Sequence, residues 1–383
     1  MLITTASGSE MRAIRKKCST ARIAVVSDAQ LERNGVGAYY ADLVDHLKSH
    51  VEEIELIYPD ESEKKSRFAL PLPGDKTQSI GLSGLPDLHS RLTDFNPHIV
   101  IIPTPGPWGI LGALIARMIG APIVVGFHTH YEKLADLYWN DFVGNINRSY
   151  LRLSNKLLFH NGAVVLANCE AMVDEAKELG AEKAELMGTP IASRFIRGPV
   201  EPLRQEVRNI LFAGRLAQEK NIETFVEAAR TLPHLDFQIA GDGPMREELE
   251  AEAATLPNLT MLGWLDRDGL YEALEECDML VLPSHVESLG TVALEALSRG
   301  RTVLVSLNCG ITEWPNLDRA LFRIHKDETT AQAIDRVAHI DHALRQKKAT
   351  LGIDGAQEMN SWAIDGWLEV IADHLDKGLT SVG

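Results

Sequence analysis

Cysteine is scarce. The 383 residues hold four, Cys18, Cys169, Cys277 and Cys309, far apart and with no C-x-x-C pair. That excludes a disulfide framework and a paired-cysteine zinc site, and it suits a reducing cytoplasm. Long apolar runs are missing too. The most apolar stretch, 108–125, is broken by Gly109, Gly112, Gly120 and Pro122 and carries Arg117, whereas a membrane-spanning helix wants about 20 mostly apolar residues. The first ten residues have no apolar core behind basic residues, so no signal peptide is expected. Positive charge is also in short supply, with 38 Lys and Arg against 54 Asp and Glu and a net charge of −16. Such a chain repels phosphate backbones, and nucleic acid is excluded as a partner over any broad face. The expected location is cytoplasmic, with peripheral contact at the inner face of a membrane left open.

What is present is an ordinary globular balance, 45% apolar and 24% charged, in a chain long enough for two domains at about 100–200 residues each. Short β-branched runs alternate with longer amphipathic ones. Strands are expected over 22–27, 97–103, 122–126 and 163–166, with helices over 36–47, 109–119 and 147–158. The pattern restarts with strands over 209–213, 237–240, 259–262, 279–282 and 302–305 and helices over 221–231, 244–255, 268–276 and 290–299. Continuous apolar runs mark strands covered on both faces, as in parallel sheets with crossover helices. The expectation is α/β, two Rossmann-like doubly wound domains facing across a cleft: residues 1–198, then 199–355, then a C-terminal helix in 356–383 packing back on the first. Arg197-Gly-Pro-Val-Glu-Pro202 reads as the linker.

Chemistry in such folds sits in the loops that follow strands. The first is Asp28 to Gly37, where Gly35 and Gly37 bring backbone N–H groups and a helix N-terminus to a ligand anion. The second, Gly214-Arg215-Leu-Ala-Gln-Glu-Lys220, places two cations beside a glycine on one strand-to-helix loop and suits a diphosphate. The third runs from Pro283 to Glu295. Glu287 and Glu295 are eight positions apart, about two helical turns, and carboxylates accept paired hydroxyl bonds from vicinal diols. Ser288, Leu289 and Gly290 offer backbone N–H groups to a phosphate. Singly, each loop also fits a tight turn or a solvated face.

Together, Gly214-Arg-Leu-x-x-Glu-Lys220, Gly241-Asp-Gly-Pro244 and Pro283-Ser284…Glu287-x-x-Gly290-x-x-x-x-Glu295-Ala296 resemble the retaining nucleotide-sugar glycosyltransferases of family 4, which have the GT-B fold. The resemblance covers nearly the whole chain and is strongest over 209–306. It implies that Arg215 and Lys220 neutralise the donor diphosphate, Glu295 holds ribose hydroxyls, and Glu287 binds hydroxyls of the donor sugar. It further implies that Trp264 and Leu265 meet the base, Gly35 and Gly37 close over the diphosphate, and His128 lies beside the transferred sugar. Two positions depart from the pattern: Leu289 stands where phenylalanine is frequent, and Gly188-Thr-Pro-Ile191 replaces a Gly-Val/Ile-Asp segment.

The expected activity is transfer of a hexose from a nucleoside diphosphate sugar, UDP-sugar favoured, with retention. No carboxylate pair matches the glycosidase arrangement, so Glu287 is not expected to act as a nucleophile. Instead the diphosphate leaves through an oxocarbenium-like transition state while Arg215 and Lys220 stabilise its growing charge. No Asp-x-Asp motif suited to a metal is read near these residues, and no metal or other cofactor is expected. Asp28…Asn34-Gly35-Val36 with His128-Thr-His130-Tyr131-Glu132 is similar to the branch that glycosylates diacylglycerol and related lipids, which makes a membrane lipid the expected acceptor. Basic residues at 12–17 and over Arg148, Arg152 and Lys156 fit weak peripheral contact with an anionic surface, at about 1 kcal/mol each. The alternatives are the same transfer to a soluble or polysaccharide acceptor, a non-catalytic two-domain sugar-binding protein, and an epimerase of nucleotide sugars. Base, hexose and oligomeric state are not read from the sequence.

Overall fold

The computed structural model describes residues 7–29, 35–59, 69–72, 75–81, 84–129 and 142–379. The chain divides into two compact units, 1–190 with 359–383, and 191–358. In the first unit the strands are β1 (Arg22–Val26), β2 (Glu53–Ile57), β3 (Ala69–Leu72), β4 (Asp75–Gly81), β5 (Ile99–Ile102), β6 (Ile123–Phe127), β7 (Val164–Ala167) and β8 (Ala184–Leu186). Six of them form a parallel sheet in the order β2-β1-β5-β6-β7-β8, and β3 pairs antiparallel with β4. Successive residues of a strand face opposite ways, so both sides of this sheet are dry. Ile23, Val25, Ile99 and Ile101 pack with Tyr39, Tyr40, Leu43 and Trp367. Ala24, Val26, Val100 and Ile102 pack with Trp108, Ile115 and Phe159 on the other face.

The second unit repeats the plan with β9 (Asn209–Ala213), β10 (Asp236–Ala240), β11 (Leu259–Gly263), β12 (Met279–Leu282), β13 (Thr302–Val305) and β14 (Phe322–Arg323). They form a parallel sheet in the order β11-β10-β9-β12-β13-β14. Strand order reverses beside β1 in the first sheet and beside β9 in the second. Ligands of open α/β sheets bind at such switch points, which draws attention to the loops after β1, β5, β9 and β12.

Strands β2, β3, β4, β8 and β14 were not read from the sequence, and three larger features also differ from the expectation. The chain divides at 190/191, not at 198/199. Residues 197–202 belong to the second unit because buried Arg299 donates to the carbonyls of Phe195 (3.3 Å) and Pro199 (2.5 Å), and buried Arg301 donates to that of Glu201. A helix at Gly8–Cys18, closed by a capping box between Ser7 and Glu10, was not read from the sequence. The C-terminal helix runs from His342 to Leu379, beginning well before 356. Gly352 and Gly355 do not break it. They let the helix approach its neighbours: a Cβ at Gly352 would stand 2.8 Å from Leu297 Cδ2, and one at Gly355 2.7 Å from the Asn316 carbonyl oxygen. Its last part packs on the first sheet, with Trp367 and Leu368 fully buried.

Candidate functional site

The loops that leave the second sheet are tied to one another through their backbones. Gly214 N–H donates to Ala240 O (3.0 Å), Leu216 N–H to Asp242 O (3.0 Å), and Gly241 N–H to Gly263 O (2.7 Å). These bonds join the loops after β9, β10 and β11. The β9 loop is tied to the β12 loop as well: His285 N–H donates to Glu219 O (2.8 Å) and Asn221 Nδ2 to Pro283 O (3.1 Å). Glycine is required where these loops touch. At Gly241 φ is +147°, and a Cβ would stand 1.9 Å from the Gly214 carbonyl oxygen. At Gly290 φ is +91°, and a Cβ would stand 2.8 Å from Cys309 Sγ. Gly290 leads directly into the helix Thr291–Ser298 with no side-chain cap, so its first N–H groups remain available to an acceptor.

On this frame the side chains pair. Lys220 Nζ lies 2.5 Å from Glu287 Oε2, with side chains 17% and 16% exposed. Burial opposes the charge of Lys220, but the Glu287 carboxylate, with Glu219 nearby, outweighs it and holds the amine above the ordinary lysine value. A charged lysine in a largely dry setting is therefore retained, aligned by one carboxylate. Arg215 Nη1 lies 3.4 Å from the buried Glu219 Oε1. Glu295 is 2% exposed, and its Oε1 accepts from Arg267 Nη1 at 2.5 Å. Burial raises the Glu295 carboxyl above its usual value against the pull of Arg267. The Arg267 guanidinium in turn lies over the Phe195 ring, 5.0 Å from its centroid. Trp264 is exposed, Leu265 and Ser288 are half-buried, and Leu289 is buried.

In the first unit Gly35 opens the helix Gly35–Leu47, and Gly37 is buried within it. His128 follows β6, and its Nε2 lies 2.9 Å from the Tyr40 hydroxyl. Tyr39 stacks 4.4 Å from the imidazole. A Cβ at Gly126 would stand 1.9 Å from Tyr40 Oη, so this contact depends on the glycine. Burial pushes His128 down to about 3 and Tyr40 well above the usual phenol range. Both are neutral at pH 7. The buried Tyr40 hydroxyl needs a hydrogen-bond partner, and among the described residues His128 Nε2 is in reach. Which ring nitrogen carries the imidazole proton follows from the tautomer, and with Nε2 accepting from Tyr40 it is Nδ1 that is left as a donor. Asp28 is also committed: its carboxylate accepts from Thr104 Oγ1 (2.7 Å), Trp108 N (2.8 Å) and Gly109 N (3.1 Å), closing the start of the helix Pro107–Met118. Asn34, His130, Tyr131 and Glu132 lie outside the described residues.

The sequence analysis did not single out Arg267, Tyr40 or Thr104, which hold the candidates Glu295, His128 and Asp28. Arg267 had a signal: it sits between two aspartates in Asp266-Arg267-Asp268. That triplet serves structure, since Asp266 Oδ1 caps its helix by accepting from Gly269 N at 2.8 Å and Asp268 pairs with Arg194.

Comparison with known proteins places this geometry. The family described as Glycosyltransferase Family 4 matches residues 33–191, and the one described as Glycosyl transferases group 1 matches residues 198–350. A sulfoquinovosyl transferase of Arabidopsis thaliana is 28% identical over 255 residues, covering 64% of this chain and 49% of that protein. A 2-deoxystreptamine N-acetyl-D-glucosaminyltransferase of Streptomyces fradiae is 29% identical over 265 residues, covering 61% of this chain and 62% of its own. The chain thus spans about half to three-fifths of the length of these relatives. Among solved structures, Anabaena HepE in complex with UDP-glucose superposes with a TM-score of 0.65 at 15% identity, over 94% of this chain and 100% of that one. At that identity the likeness is one of fold, and the fold is GT-B.

Proposed function

The chain belongs to the group 1, family 4 glycosyltransferases, and on that premise we propose that it moves a hexose from a nucleoside diphosphate sugar, UDP-sugar favoured, to an acceptor hydroxyl with retention. The observation that carries this reading is the Lys220–Glu287 pair with Arg215 beside it, set on loops tied together at the switch point of the second sheet. Two cations fixed where a diphosphate's oxygens would gather charge act most strongly when they need not reorganise. Glu287 aligns Lys220 and takes hydroxyls of the sugar. Arg267 holds Glu295 through one oxygen and leaves the other to accept ribose hydroxyls. Neutral His128 offers the transferred sugar a hydrogen-bonding group. Arg215 and Lys220 supply the charge neutralisation, and no metal enters this reading.

For the acceptor, the Asp28 to Val36 and His128 to Glu132 segments favour a membrane lipid of the diacylglycerol type. The match to a transferase named for 2-deoxystreptamine supports a soluble acceptor as the second reading. Binding of UDP-, GDP- and ADP-sugars is read by thermal shift, since a ligand of the folded state raises its apparent stability. Transfer of labelled hexose is then followed to diacylglycerol in vesicles and to 2-deoxystreptamine in solution. A stabilising UDP-sugar and labelled glycolipid are expected. No shift with any donor overturns the reading, and label only on the soluble acceptor replaces its lipid half.

A further inference from the structure

The chain averages one acidic residue in seven, yet two neighbouring helices of the first unit have none. These are Pro107–Met118 and Phe142–Asn161, 12 and 20 residues long. At the chain's average they would carry about four or five. They meet where Arg117 Nη1 donates to Asn161 Oδ1 at 2.6 Å. Eight large apolar side chains are exposed among the described residues, and five of them are here. Leu114 and Met118 are 50% and 73% exposed on one helix, and Leu153 and Leu157 are 70% and 43% exposed on the other, with Tyr150 one turn before. Arg152 and Lys156 are exposed on the same helix as Leu153 and Leu157, and Arg117 on the first. Single exposed apolar residues need no explanation, but a contiguous set rimmed by one sign of charge marks an interaction surface.

From this charge complementarity we propose that the face formed by these two helices seats the protein on an anionic bilayer, with Leu114, Met118, Leu153 and Leu157 entering the headgroup boundary and Arg152 and Lys156 meeting lipid phosphates. Interfacial helices divide their faces in this way. A basic residue near such a surface contributes about fivefold in binding. The proposal extends the lipid-acceptor reading by naming the surface that would meet the membrane, and it is tested without any transfer reaction.

The test is flotation of the full chain with vesicles of phosphatidylcholine alone or mixed with phosphatidylglycerol. Binding to the mixed vesicles is expected, weakening as salt is added. Arg152→Glu with Lys156→Glu should lower it by more than about tenfold. Met118→Glu with Leu153→Glu should abolish it. Thermal unfolding and sugar-nucleotide binding of both double variants should match the unsubstituted chain, showing that the fold is intact. Vesicle binding that is absent, or equal in all three proteins, overturns the proposal. So does a dimer in sedimentation velocity that Met118→Glu with Leu153→Glu splits while no form floats, since the face would then join two copies. Loss of sugar-nucleotide binding in the unsubstituted chain would instead strike the proposed activity and leave this surface standing.

Discussion

Lys220 is where the proposed chemistry and the stability of the loop meet in one side chain. Glu287 holds its amine above the ordinary lysine value against burial, so replacing the lysine would touch both. On the proposed reading Lys220→Ala removes one donor to the leaving diphosphate, and loss of such a donor typically raises a barrier by about 2.7–4 kcal/mol. Steady-state turnover should therefore fall by about 10²–10³. The same change strands the Glu287 carboxylate, 16% exposed, at a cost of about 1–3 kcal/mol, below the range for a fully buried pair. Urea unfolding reads that loss separately, and turnover near the unsubstituted level would reject the role.

His128 makes the second residue-scale prediction. Its folded value of about 3 lies below the ordinary imidazole value. A depressed group contributes stability that is present above its unfolded value and lost as pH falls toward the folded one. Between pH 7 and about 4.5, the unsubstituted chain should lose about 1–3 kcal/mol more than His128→Gln, measured by denaturant unfolding at both pH values. Arg215, Lys220, Glu287 and Glu295 could be chosen as candidates from residue type and spacing, and the structure sets Lys220 against Glu287. Arg267 and Tyr40 could not be, because a partner that aligns a functional group lies far from it in sequence: 28 residues for Arg267 and Glu295, 88 for Tyr40 and His128.

At the scale of elements, the loops hold because glycine lets their backbones touch, and two glycines separate contact from strain. Gly241→Ala places a Cβ 1.9 Å from the Gly214 carbonyl oxygen at φ +147°. It should destabilise the second unit by about 3 kcal/mol or more and shift Arg215, which follows Gly214. Gly263→Ala has φ +69° but open space around the added methyl, so only the left-handed backbone is charged, about 1–2 kcal/mol. Equal losses in the two variants, read as unfolding midpoints, would remove the stitching argument. The central strands were legible because strands buried on both faces are continuous β-branched runs, as in Ile99-Val-Ile-Ile102. Of the four edge strands only β11 was read. β2 alternates Glu with Ile and Leu, β8 is three residues long, and β14 is two. The helix at Gly8–Cys18 escaped as well, since its polar surface hides a buried stripe of only Met11 and Cys18.

For the whole molecule, the C-terminal helix decides which stability belongs to which unit. It begins among residues of the second unit and ends among those of the first, where Trp367 is fully buried and its Nε1 donates to Tyr39 Oη at 2.9 Å. Tyr39 in turn donates to the Gly188 carbonyl at 3.0 Å and stacks against His128. Trp367→Ala would open a large cavity and unseat that hydroxyl, a loss of about 3–5 kcal/mol. The donor cluster of Arg215, Lys220, Glu287 and Glu295 draws all its side chains from 191–358 and makes none of these contacts. Calorimetry should then show one early transition, belonging to the first unit, while a second keeps its midpoint and still rises with added UDP-sugar. If His128 serves transfer as proposed, transfer should fall further than donor binding, because Tyr39, which packs against His128, has lost its Trp367 contact. A single transition lowered as a whole, with donor stabilisation lost in step, would mean that the helix couples the two units too tightly for their stabilities to be separated.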